Sequence, residues 1–79
     1  MNLHIIYTKK KVLCSKKKYN SWREIQVEYD DYVASLCFWS ANQVEKFLEQ
    51  EYTNLKPSAK TQIANFIASD LKTVEITLK

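Results

Sequence analysis

The sequence predicts an α+β fold, a two-layer arrangement in the order ββββααβ, with an antiparallel sheet and two helices packed on one of its faces. Three observations carry this reading. The first half holds four short segments rich in β-forming residues, the second half holds two segments with apolar residues at helical spacing behind capping signals, and period two returns at the end. With 79 residues the chain makes one α+β domain, residues 1–79. A chain of that size buries only about 60% of the surface its unfolded form exposes, and its core supplies roughly 3–5 kcal/mol. It therefore leans on a partner, on self-association or on very regular packing.

"NLHIIYT" and "KVLCSK" predict strands over 2–8 and 11–16. A turn at Lys9 and Lys10 puts Leu3, Ile5, Tyr7, Val12 and Cys14 on one face, under the helices, and Ile6 opposite Leu13 on the other. "WREIQVEY" alternates, with Arg23, Ile25, Val27 and Tyr29 against Trp22, Glu24, Gln26 and Glu28, and predicts a third strand. After turn residues Asp30 and Asp31, "YVASLCFW" predicts a fourth, with Tyr32, Ala34, Leu36 and Phe38 on one side. Paired as a hairpin, these two strands set Trp22 directly opposite Trp39 and Glu24 opposite Cys37. In "SANQ" the Ser40 hydroxyl and Gln43 make a capping box, and Val44, Phe47 and Leu48 continue it as a helix over about 41–52. Pro57 and Ser58 open a second helix with the stripe Ala59, Ile63, Phe66, Ile67 and Leu71. "TVEITLK" predicts the last strand, with Val74, Ile76 and Leu78 on a shared face.

Charge is unevenly spread. Residues 1–23 hold seven cations (Lys9, Lys10, Lys11, Lys16, Lys17, Lys18 and Arg23) and no acid, whereas the remainder holds five lysines against nine acids, for a net +3. The basic front disfavours mimicry of an acidic nucleic acid. The two lysine triplets stand seven residues apart, which is about 23 Å along a strand. They form two poles, suited to phosphates spaced along a duplex, with Tyr19 beside them for stacking. The same lysines also suit the plainer role of solvating a hairpin rim and guarding an edge strand.

The opposed indoles mark the other candidate surface. Trp22 and Trp39, with Ile6 and Leu13 on the same face and Arg23 as a polar anchor, make an open apolar patch of the kind that binds a protein partner. In the plainer reading Trp39 folds under the following helix and Trp22 shields a sheet end.

Several classes of chemistry are disfavoured. Glycine is absent, which removes the P-loop and the dinucleotide fingerprint, both of which need glycine for close backbone approach. The single His4 has no motif around it. Cys14 and Cys37 lack CxxC spacing and fall on opposite faces, so neither a disulfide nor a metal site is expected. Asp30 and Asp31 read as turn residues, and Glu45, Glu49 and Glu51 as a solvated helix face. We expect no catalytic residue, no metal and no cofactor. The apolar runs are too short for a membrane span and the N-terminus lacks the pattern of a signal peptide, so the cytoplasm is the expected compartment.

Two functional classes remain: a protein-binding module centred on the tryptophans, and a nucleic-acid binder using the lysine poles. The order of strands, capped helix, proline-led loop and second helix, with the stretch "SANQVEKFLEQEYTNLKP", is similar in outline to certain very small phage-encoded inhibitors of bacterial defence, anti-CRISPR proteins among them. Ferredoxin-like domains share that outline. The resemblance to the inhibitors implies a small interaction protein that sterically blocks a nucleic-acid-handling complex in the host cytoplasm, as a monomer or homodimer. Its lysines would then meet an acidic surface of the target or compete for its guide or target strand.

Overall fold

The computed structural model describes residues 2–53 and 55–77. The chain runs β1 (Leu3–Thr8), β2 (Val12–Ser15), α1 (Trp22–Glu28), β3 (Tyr32–Phe38), α2 (Ala41–Glu51), α3 (Ala59–Ala68) and β4 (Thr73–Glu75). The strands form one antiparallel sheet in the order β3-β1-β2-β4. The α+β class, the antiparallel sheet and the layer of two helices on one face are therefore those the sequence predicts.

The β1–β2 register is the one a turn at Lys9 and Lys10 demands, with Ile5 opposite Cys14 and Ile6 opposite Leu13. No described residue has a positive φ, so this turn closes without the left-handed residues that two-residue hairpins usually need. Thr8 supplies the alternative. Its hydroxyl accepts from the Lys10 and Lys11 N–H groups (3.4 and 3.1 Å) and donates to the Lys11 carbonyl (3.1 Å). Replacing Thr8 with Val keeps the shape and removes those bonds, so a loss of about 1–2 kcal/mol is expected in urea unfolding.

Leu3, Ile5, Val12 and Cys14 meet Val44 and Leu48 of α2, Ala59, Ile63 and Phe66 of α3, and Ile76 in one apolar core. Burial pushes the Cys14 thiol up to about 12, so it packs as a small apolar group. Both helices start where the capping signals place them. The Ser40 hydroxyl accepts from the Gln43 N–H (3.3 Å) while the Gln43 side chain accepts from the Trp39 N–H (2.8 Å). Ser58 accepts from the Thr61 N–H (3.2 Å). Leu71, expected on the α3 stripe, lies beyond the helix and is exposed. The last strand is three residues long, and past it the Gln62 side chain takes both the N–H and the carbonyl of Thr77 (2.8 and 2.9 Å), groups that face away from β2. The expected continuation through Leu78 and Lys79 lies outside the described residues.

One element differs in kind. Residues 22–28, expected as a strand, form α1, and the order is ββαβααβ. The segment satisfies both periods, since Trp22, Ile25 and Tyr29 also share a helical face. The Ser21 side chain makes no cap bond, but the first turn is tied back to the preceding residue, which favours the helix. Glu24, three residues after the N-cap Ser21, accepts from the Asn20 backbone N–H (2.8 Å) and side chain (3.2 Å). Topology favours it too. β2 and β3 both run antiparallel to β1 on opposite sides, hence parallel to each other, and parallel strands need a crossover. As that crossover, α1 lays Ile25 on Ile6 and Leu13 and builds a second small core with Tyr19, Tyr29 and Tyr32.

Candidate functional site

Because α1 replaces a strand, the face expected to be open is covered. Ile6 and Leu13 are buried under Ile25, so neither can touch a partner. The expected opposition of Trp22 and Trp39 is also overturned. Trp22 opens α1 and stacks on Tyr32 at the start of β3, with ring centroids 6.4 Å apart and 14° between planes. Trp39 follows the other end of β3, seven residues on, or about 23 Å along the strand.

Both indoles nevertheless stay accessible, Trp22 at 53% and Trp39 at 77% of full exposure. The Arg23 guanidinium lies 5.6 Å from the Trp22 ring centre, and Val27, one helical turn beyond Arg23, is 84% exposed. Trp22 and Arg23 thus form an exposed apolar and cationic pair on α1, with Val27 exposed one turn beyond Arg23. The Tyr32 stack and the buried Ile25 hold the backbone of α1 in place, so little ordering entropy remains for binding to oppose.

Two lysines of the second triplet also have partners within the chain. The Lys16 ammonium donates to the carbonyls of Phe66 (3.2 Å) and Ser69 (2.8 Å) and sits 4.8 Å from the Phe66 ring centre. It caps the C-terminal end of α3, where the helix dipole is negative. Lys17 pairs with Glu28, which also accepts from the Tyr19 hydroxyl (2.6 Å). Those two donors hold the Glu28 carboxyl below its ordinary value. Burial, and then the bond to Glu28, pushes the Tyr19 hydroxyl up to about 12. Lys18 remains exposed, as do Lys9, Lys10 and Lys11 at the opposite end of the hairpin. Lys9 there bonds the Asp31 carbonyl through its backbone (3.0 Å), which places the Asp30–Asp31 turn beside the first triplet.

The sheet also brings together a pair that the sequence reading kept apart. His4 on β1 is the cross-strand partner of Cys37 on β3, and both line a shallow groove of about 320 Å³ with Asn2, Tyr19 and all three lysines of the second triplet, Lys16, Lys17 and Lys18. Tyr19 packs edge-on against His4, 5.1 Å between centroids, and burial lowers the His4 pKa. No hydrogen bond joins His4 to Cys37, and among the described residues no three His, Cys, Asp or Glu side chains gather as metal ligands do. Only the pairing of β1 with β3, which is not local in sequence, could have revealed this neighbourhood.

Compared with known proteins, the chain gives no significant match to any family model, curated protein or solved structure. Among the described residues, no helix is long and apolar enough to cross a membrane.

Proposed function

We propose that the protein is a non-catalytic protein-binding module, docking through Trp22, Arg23 and Val27 of α1 and assisted by Trp39. The observation that carries this reading is the exposed, preorganised Trp22–Arg23 pair, with Val27 exposed one turn beyond. Tryptophan and arginine are the residues that most often anchor protein interfaces. An inhibitory role, in which the domain sterically blocks a nucleic-acid-handling complex, is the form of protein binding we propose for a fold this small. Both cysteines are free, which suits a reducing compartment such as the cytoplasm, or the host cytoplasm of a phage-encoded protein. The use of Lys16 on the end of α3 takes one cation out of the second triplet and favours the protein-binding reading over direct use of the lysines on nucleic acid.

The test is affinity capture from nuclease-treated host extract, followed by titration of the captured partner. Trp22→Ala is expected to weaken binding by at least about 30-fold, the effect of losing about 2 kcal/mol at a central anchor. A partner that vanishes after nuclease treatment, or that binds Trp22→Ala like the wild type, would contradict this reading.

A further inference from the structure

We infer that β3 is a self-pairing edge, and that two copies of this chain join their β3 strands antiparallel about a two-fold axis into one continuous eight-stranded sheet. This goes beyond the docking patch on α1 and rests on different residues.

The free hydrogen-bonding groups can be assigned by alternation. The Thr8 N–H bonds the Lys11 carbonyl, so the backbone groups of Thr8, Ile6 and His4 point to β2 and those of Tyr7, Ile5 and Leu3 point to β3. Their partners Ala34, Leu36 and Phe38 are thereby satisfied. Ser35 and Cys37 direct their N–H and carbonyl groups outward, where no described strand lies, since β3 is the edge of the sheet.

Natural edges of this kind carry lysine, proline or inward charge to prevent pairing. β3, "YVASLCF", has none of these over seven residues. A register shift opposite Tyr7 and Thr8 limits the regular portion to Ala34–Phe38. The other edge, β4, has only three residues and offers far less.

One symmetric register uses that regular portion fully. With Leu36 opposite Leu36 of the second copy, Ser35 and Cys37 become hydrogen-bonded pairs and Ala34 faces Phe38, small against large. Trp39 then lies opposite Val33. Val33, Leu36 and Trp39, the large exposed apolar side chains in and beside β3 (58%, 43% and 77%), all gain apolar partners. The flanking charges agree with a second copy as the occupant. At each end of the paired strands the Asp30–Asp31 turn of one copy comes next to the start of α2 of the other, whose first turn contains no acidic residue and presents the positive end of the helix dipole. Trp39 would also approach Tyr32 of the second copy, on which that copy's Trp22 stacks.

The test is sedimentation velocity on the full chain over about 10 to 500 µM, the range where a strand-pairing interface of modest area associates. The wild type is expected to dimerise. Leu36→Lys sets like charges face to face and Leu36→Glu does the same with opposite sign, so each alone should weaken association at least tenfold. An equimolar mixture of the two should recover the dimer. Ser35→Pro removes the outward N–H together with the hydroxyl bonded to Tyr32 (2.9 Å); it should abolish association with far-ultraviolet circular dichroism unchanged, whereas Ser35→Ala, which loses the hydroxyl and keeps the N–H, should dimerise like the wild type. A wild type that stays monomeric, leaving the edge to a strand of another protein, overturns the inference. So does a Leu36→Lys chain that dimerises as well as the wild type, or a charge-swapped mixture that fails to pair.

Discussion

Replacing Ile25 with Glu is expected to cost on the order of 3–5 kcal/mol, which approaches the whole stability of a domain this small. Ile25 is the only residue of α1 that is buried (2% exposed), and it closes the second core over Ile6 and Leu13. A carboxylate there has no cation among those neighbours to pair with. The charge must be hydrated, which lifts α1 from the sheet and uncovers the central strand. Urea unfolding should give the loss, and binding of a hydrophobic dye should report the uncovered face. Ile25→Ala provides the graded control, expected near 2–4 kcal/mol from lost burial and the residual cavity. A loss below about 1 kcal/mol for either variant would mean that α1 is held by something other than Ile25.

The second large effect is expected at Lys16. Met retains the apolar stem against Phe66 but removes the ammonium that serves the Phe66 and Ser69 carbonyls. The loss should be about 2 kcal/mol, the scale of charge-assisted hydrogen bonds and of a cation at a partly buried helix C-terminus. The same substitution at Lys18, an exposed neighbour, should change stability by less than about 0.5 kcal/mol. If the two variants behaved alike, the assignment of Lys16 to the end of α3 would fail.

Lys16 also marks where reading a sequence stops. Its partner carbonyls lie 50 and 53 residues away, so nothing near "CSKKKYN" distinguishes a helix cap from a free cation. The hairpin was legible for the opposite reason. Its turn, apolar alternation and register all lie within residues 3–15, and one polar turn between two apolar runs leaves one register that buries Ile5 with Cys14. The starts of α2 and α3 were legible through Ser40 and Ser58, whose caps act over three residues.

The segment 22–28 misleads because it is short enough to satisfy both periodicities, and its alternation is the more visible. The features that favour the helix are the Asn20–Glu24 contact, whose residues lie four apart in the sequence, and the need to cross from β2 to β3, which was not visible without the sheet order. From that one element followed the errors about the site. Ile6 and Leu13 moved from an open face into a core, and the two tryptophans moved to opposite ends of β3. Trp22, Arg23 and Trp39 are exposed, as expected, but in a different geometry.

The claim that this is a protein-binding domain rather than a nucleic-acid binder is tested most directly by titrating it into short single- and double-stranded DNA and RNA at about 50 and 200 mM salt, following mobility shift. With Lys16 bound to the end of α3 and Lys17 offset by Glu28, no shift is expected at either salt below high micromolar protein. Micromolar or tighter binding that weakens many-fold between the two salts would mean that Lys9, Lys10, Lys11 and Lys18 engage phosphates after all, and would contradict the account.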